Sequence, residues 1–321
     1  MINFHLDFSI PSFSQKINYS QTSLFLGSCF AENIGELMQK HKFKTTLNPH
    51  GILYNPSSIA VALRRYLKND WLVEKELFFA NECWNSWEHH SRFSNPDKIS
   101  CLTEVNKAIS EAHVALKNAD WLHITFGSAF IYKRDSQLVG NCHKQPQKEF
   151  EKLMLSTTEI VSEYKLLINE LIAFNPKLKI IFTISPVRYV RDGVVDNNLS
   201  KARLIDSVHQ LKSENVLYFP SYELIIDDLR DYRFYKDDLV HPNEQAINYV
   251  FDKFSKTNFD SNTIDLLEKI KEILSAKNHK SFNADTETHK KFLTTYFERC
   301  KKLQLENPFW DLSKEITYFS C

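Results

Sequence analysis

The sequence predicts an α/β protein: a parallel sheet covered by helices on both faces, followed by a helical appendage. Three observations carry that expectation. Short apolar runs alternate with segments of helical periodicity as far as about residue 257. One run, residues 178–184 (LKIIFTI), is almost wholly apolar, as a central parallel strand buried on both sides must be. Beyond Thr257 only helical periodicity remains. Residues 1–257 are therefore expected to form the core, and residues 258–321 an appendage packed on it.

The elements follow in order. Residues 23–26 form a short strand that stops at Gly27, and Phe30, Ile34, Leu37 and Met38 continue as a helix. Pro56 opens a second helix with Ile59, Leu63, Tyr66 and Leu67 on one face. Leu102, Val105, Ile109, Ala112 and Leu116 mark a third, and residues 121–126 (WLHITF) the next strand, which ends at Gly127. A long helix is expected over residues 151–174, stopped by Asn175-Pro176. After the 178–184 strand come a helix at 200–213 and a strand at 216–219. Pro242 is expected at the first position of a helix that turns Ala246, Ile247, Val250, Phe251 and Phe254 inward. Two further helices carry Leu266–Leu274 and Phe292–Cys300.

Composition excludes several functions. Only 6 of 321 residues are glycine, where about 22 would be ordinary. Neither GxGxxG nor GxxxxGK[ST] can be drawn from Gly27, Gly35, Gly51, Gly127, Gly140 and Gly193, so no nucleotide phosphate loop is present. The 40 basic and 40 acidic side chains balance, which argues against a general nucleic-acid or anionic-membrane surface. No basic segment leads into an apolar run at the N-terminus, and no stretch approaches 18 apolar residues. A cytoplasmic protein is expected, with Cys29, Cys83, Cys101, Cys142, Cys300 and Cys321 as reduced thiols. No Cys or His pair has a familiar ligand spacing, so neither a metal nor a required cofactor is expected. The oligomeric state is left open.

Chemistry in an open α/β sheet is expected outside the carboxyl ends of its strands. Two nucleophiles, Ser28 and Cys29, stand at the first such end, where the free N–H groups of the next helix would favour a thiolate or an oxyanion. A base and its orienting acid are offered by Asp238 and His241, expected on one side of a helical turn. Asp120 precedes His123 and Asp206 precedes His209 by the same interval. Only His241 lies in a loop just before a helix at the end of the core, so position selects it.

These residues resemble a family. Gly27-Ser28-Cys29-Phe30-Ala31 is the GSCFA motif, and residues 48–56 (NPHGILYNP), 141–144 (NCHK), 185–188 (SPVR), 233–235 (RFY) and 238–243 (DLVHPN) look like further blocks of that family. The GSCFA family is similar to the SGNH/GDSL hydrolases, which implies a three-layer α/β/α flavodoxin-like fold and acyl-ester chemistry. In the GDSL register Gly27 matches the leading glycine, Ser28 takes the acid's place and Cys29 the nucleophile's. The resemblance therefore implies Cys29, or Ser28 after a one-residue shift, as nucleophile, with His241 as base and Asp238 behind it. It also implies an oxyanion hole, for which Gly51 supplies a glycine and Asn141 replaces the missing Asn of the third block.

Arg188, after the 178–184 strand, suits a carboxylate or phosphate, so an acyl-CoA co-substrate would fit the cleft. Lys201 reads as a charge in a solvated loop or as part of that basic cleft. Ser185, His50 and His143 are candidate substrate contacts, and Trp84 with Trp87 a candidate sugar-stacking wall. The expected function is hydrolysis or O-acyl transfer on a small or carbohydrate-linked acyl ester. The competing expectation is an inactive binding module for an acylated or sugar ligand.

Overall fold

A computed structural model describes residues 8–279, 283 and 285–320. The chain enters its sheet with β1 (Thr22–Gly27), passes α1 (Cys29–Lys40) to β2 (Lys44–Leu47), then α2 (Pro56–Lys68). A hairpin of β3 (Leu77–Ala80) and β4 (Cys83–Ser86) and helix α3 (Lys98–Asn118) lead to β5 (Trp121–Phe126). A small antiparallel sheet of β6 (Phe130–Arg134), β7 (Gln137–Val139) and β8 (Glu151–Met154) precedes α4 (Thr157–Phe174), β9 (Lys179–Ile184), α5 (Val194–Leu211) and β10 (Val216–Tyr218). One turn, α6 (Ser221–Glu223), is followed at a distance by α7 (Glu244–Asn258), α8 (Ser261–Asn278), α9 (Glu287–Glu306) and α10 (Ser313–Phe319).

The main sheet is parallel throughout, in the order β10-β9-β5-β1-β2. Numbered among themselves its five strands run 2-1-3-4-5, the flavodoxin-like order. The winding reverses between β1 and β5, so the crevice of the fold opens above those two strands.

Side-chain alternation along each strand divides the core. Leu24, Leu26, Leu122, Ile124, Phe126, Ile180, Phe182 and Ile184 face α2, α3, α4 and α5. Phe25, Trp121 and Ile181 face α1 and α7 on the other side. Helix α1 fits this layer because Phe30, Ile34 and Met38, each four apart, form its buried stripe. Each such side chain contributes roughly 1.5–3 kcal/mol on burial. Helices α8–α10 extend the same layer at the far end of α1. There Tyr19 stacks on Phe43 at 4.0 Å and meets Trp310 edge-on at 5.1 Å, while Lys42 pairs with the buried Glu315 at 2.6 Å.

Several elements depart from the sequence expectation. Residues 151–154 are a strand, not the first turn of α4. Ser156 Oγ accepts from the Glu159 N–H and Glu159 Oε2 from the Ser156 N–H, a capping box that fixes the helix start. Helix α5 begins at Val194, six residues early, after Gly193 at φ +95°. Pro242 is not the first residue of α7. It pairs with Tyr235 in an isolated bridge, and Asn243 caps the helix by accepting from Ala246 N–H at 3.1 Å. Cys321 lies outside the described residues. Among the described residues no helix is long and apolar enough to cross a membrane.

One residue closes the crevice floor. Gly27 has φ +132°, and a Cβ there would lie 2.1 Å from the Thr125 carbonyl oxygen of β5. Gly193 is also left-handed, but nothing lies within 4 Å of its Cβ position. Gly27→Ala should therefore lower the melting temperature by several degrees, more than about 1 kcal/mol, and more than Gly193→Ala, as thermal unfolding by circular dichroism will read. Equal effects would mean that backbone strain alone, not the β1–β5 approach, sets the cost.

Candidate active site

The site is built on the turn that leaves β1. Asn48 Oδ1 accepts from the Gly27 N–H at 2.9 Å, the Gly27 carbonyl accepts from Leu53 N–H at 3.0 Å, and Ser28 N–H donates to Thr125 O at 3.2 Å. These bonds hold the turn against β5 and the 48–54 loop. Ser28 is then the N-cap of α1: it is 1% exposed, and its Oγ accepts from Phe30 N–H at 3.3 Å. Cys29, the first helical residue, is half-buried and lines the cavity above the sheet.

That cavity measures about 330 Å³. Tyr54, Gly127, Ser185, Val187, Arg188 and Val240 line it, together with Cys29 and His241. Asp238 and His241 meet in a turn, not across a helix. Asp238 Oδ1 accepts from the N–H groups of Val240 and His241, each at 2.9 Å, while its Oδ2 takes the imidazole Nδ1 at 2.7 Å. This geometry, with Leu239 at φ +58°, leaves Nε2 as the imidazole nitrogen for proton transfer. The two N–H groups, helped by the imidazole, hold the Asp238 carboxyl at about 2. Neither of the other acid–histidine pairs meets in this way. Asp120 binds the Thr22 N–H and Lys177, while His123 stacks on Phe25; Asp206 takes Gln210.

The structure does not give Cys29 a thiolate environment of the kind the helix N-terminus suggests. Burial pushes the thiol up and Glu32 adds to that, against its own backbone N–H, Lys201 and Lys236. No hydrogen bond joins His241 to Cys29 or Ser28 among the described residues. The thiol is therefore neutral at pH 7 and needs a base at the moment of attack.

Other expected contacts are displaced. Gly51 donates its N–H to Asn48 O at 2.6 Å and packs on His90, so it offers no oxyanion donor here. Asn141 lines a second chamber of about 290 Å³, and its Oδ1 is engaged by the His143 N–H at 2.8 Å. His50 is fully buried, with Nδ1 on Tyr66 Oη at 2.6 Å, and desolvation pushes its imidazole well below the usual range. His143 Nε2 bonds the Ser86 carbonyl at 2.8 Å. Neither histidine lines the cavity: His50 turns inward onto Tyr66 and His89, and His143 onto the end of β4. Trp87 stacks on Phe78 at 3.6 Å and Trp84 meets Phe79 at a tilt, with ring centroids 5.4 Å apart; neither tryptophan lines the cavity. Ser185 and Arg188 do line the cavity; Ser185 Oγ accepts from Val187 N–H, and the Arg188 guanidinium lies over Tyr235 at 4.5 Å.

The profile of the GSCFA family matches residues 22–254, nearly three quarters of the sequence. The chain belongs to the GSCFA family. A second match, to the C-terminal domain of GSCFA domain proteins, covers residues 270–321 and so takes in α9 and α10. Two solved structures are also similar. One is a carbohydrate esterase of family 3 from Talaromyces cellulolyticus, at 10% identity over 77% of this chain and 98% of that one, with a TM-score of 0.37. The other is an acetyl esterase variant with an acetate ion, at 10% identity over 78% and 99%, with a TM-score of 0.34. No curated protein matches.

In this GSCFA protein the second chamber adjoins the first through Tyr54, Ser128, Tyr189 and Arg191. Phe130, Tyr132 and Phe150 supply its rings and Asn55, Asn141, Gln145 and Gln147 its amides. Of these, sequence reading named Asn141, as an oxyanion donor, and gave the rings and the other amides no role; for Lys201 it offered a solvated loop or a basic cleft, not a buried place. That lysine had a signal: it sits three, seven and ten residues before Leu204, Val208 and Leu211, on the apolar stripe of α5.

The raised thiol gives a direct expectation. The rate of Cys29 alkylation by iodoacetamide, followed by peptide mass spectrometry, should keep rising with pH beyond the point where an unfolded control levels off. A plateau near neutral pH would show a stabilised thiolate instead.

Proposed function

We propose that this protein is an acyl-ester hydrolase or O-acyltransferase in which Cys29 is the nucleophile, His241 the base and Asp238 its orienting acid. The observation that carries the reading is that Cys29, at the N-terminus of α1, and a carboxylate-bound His241 line one cavity at the topological switch point. Cys29 Sγ attacks the acyl carbonyl as His241 Nε2 takes its proton, which answers the neutrality of the buried thiol. The developing oxyanion faces the N-terminus of α1, where Ala31 and Glu32 already donate to Ser28 O and Phe30 to Ser28 Oγ, so the Cys29 N–H is the donor that serves it. His241 then protonates the departing alcohol. A water or sugar hydroxyl, deprotonated by the same imidazole, cleaves the thioester and restores Cys29.

Size and lining support a small acyl group in the first cavity, where Val187, Val190 and Val240 form apolar walls. Rings and amides in the adjoining chamber suit a neutral hydroxylated alcohol such as a sugar. Arg188 in the first cavity and Arg191, which both chambers share, suit the phosphates of an acyl-CoA donor. A free thiol nucleophile also suits a reducing compartment such as the cytoplasm.

A second reading has its own support: the same cleft as a non-catalytic site for an acylated or sugar ligand. The absence of a Cys29–His241 hydrogen bond among the described residues, the engagement of the Gly51 N–H by Asn48 and the place of Asn141 in the second chamber favour it.

Aryl acetates, acetylated sugars and acetyl-CoA should be tested with the parent, Cys29→Ala and Ser28→Ala proteins. Cys29→Ala should lose at least about a thousandfold in kcat/KM. Ser28→Ala should retain activity while losing about 1 kcal/mol of stability from the lost cap. Activity kept by Cys29→Ala and lost by Ser28→Ala would reverse the assignment; binding without turnover in the parent would select the second reading.

A further inference from the structure

Lys201 is the most unusual ionisable group in the fold. It is 1% exposed, and its Nζ donates to the carbonyls of Gly127 and Ser185, each at 2.6 Å. Those residues immediately follow β5 and β9, which pair in register to Phe126 and Ile184, and both residues line the Cys29 cavity. Its neighbour Ser200 continues the same contact, accepting from Ala129 N–H at 2.8 Å. One turn of α5 thus pins two strand ends from beneath the cavity floor.

A buried ammonium hydrogen-bonded to neutral carbonyls, with the Tyr222 ring 5.9 Å from its nitrogen, is costly, because these dipoles replace part of its hydration and supply no counter-charge. If the role were only to join two carbonyls, a neutral donor would suffice. No carboxylate pairs with it among the described residues. The group whose ionisation couples to it is Cys29: once a thiolate forms there, thiolate and ammonium attract each other. Burial pushes the ammonium down to about 7, and an anion at Cys29 opposes that shift.

We propose that Lys201 is a positioning residue of the Cys29 site: its buried ammonium clamps the Gly127 and Ser185 carbonyls and places beneath Cys29 the positive charge that favours its thiolate. The catalytic meaning of this role rests on Cys29 being the nucleophile; the linkage between the two residues does not. By that linkage an anion at position 29 holds the ammonium charged to higher pH, and the ammonium lets the thiolate form at lower pH.

The test reads that linkage without turnover. Native protein is alkylated at Cys29 with iodoacetate, which leaves a carboxylate, or with iodoacetamide, which leaves a neutral amide. The Lys201 side chain is then titrated by NMR of ¹³C-labelled lysine. The Lys201 midpoint should be higher in the carboxymethyl form by at least about half a pH unit; equal midpoints overturn the proposal. A second arm uses Lys201→Met and Lys201→Gln, the latter keeping a donor for the carbonyls. In whichever variant folds, Cys29 alkylation at fixed pH below its midpoint should slow about threefold, the result of a one-unit rise offset by greater thiolate nucleophilicity. An unchanged pH profile in a folded variant reduces Lys201 to a structural strut. If the midpoints differ but Cys29→Ala retains full turnover, the linkage stands and the function proposed for Cys29 falls.

Discussion

The close approach of β1 to β5 at Gly27 is the constraint on which the site depends. Only a residue without a Cβ, at φ +132°, lets the chain leave β1 within reach of the Thr125 carbonyl. That turn makes Ser28 a buried cap and leaves Cys29, the half-buried first residue of α1, on the cavity. The 48–54 loop is fastened to the same turn through Asn48 and Leu53, and it delivers Tyr54, whose carbonyl accepts the N–H groups of Gly127 and Ser128. Three loops from distant parts of the chain are thereby locked around one point between the two strands where the winding reverses.

Around that point the charges are arranged with economy. The thiol is held neutral, the His241 imidazole is fixed by an exposed carboxylate, and the buried Lys201 lies under the floor. A neutral thiol gives up its proton only as the base takes it, so proton transfer and attack are coupled in the proposed reaction. Arginines sit at the rim, where solvation costs little, and the buried charge is the flexible point charge of a lysine, whose ionisation burial shifts readily. Helices α8–α10 pack at the opposite end of α1, and no residue of theirs lines either chamber among the described residues.

Much of this was legible in the sequence because each level agreed with the next. Apolar runs, helical stripes and strand-end glycines all placed the crevice after residue 27, and loop position singled out His241 over His123 and His209. What was not legible depended on long-range contact. Nothing local distinguishes a Gly51 N–H facing a ligand from one bonded to Asn48, or a His50 that touches substrate from one on Tyr66. The strands of residues 130–154 are too short for periodicity to declare, and the 151–154 segment is helical in pattern until the Ser156–Glu159 box ends the ambiguity. Asp238 was paired with the right histidine through the wrong local geometry, since a side chain bonding two successive N–H groups makes a turn where spacing alone suggested a helix. Lys201 was read as part of a solvated loop or of a basic cleft because lysine is rarely buried, although its place on the α5 stripe pointed inward.

The most direct measurement is acid-quenched mass spectrometry of the protein during turnover of an activated small ester, with peptide mapping of the adduct. The account predicts one acyl group, labile to hydroxylamine, on Cys29. An acyl group on Ser28, or steady turnover with position 29 unmodified under conditions that trap a thioester, would contradict it.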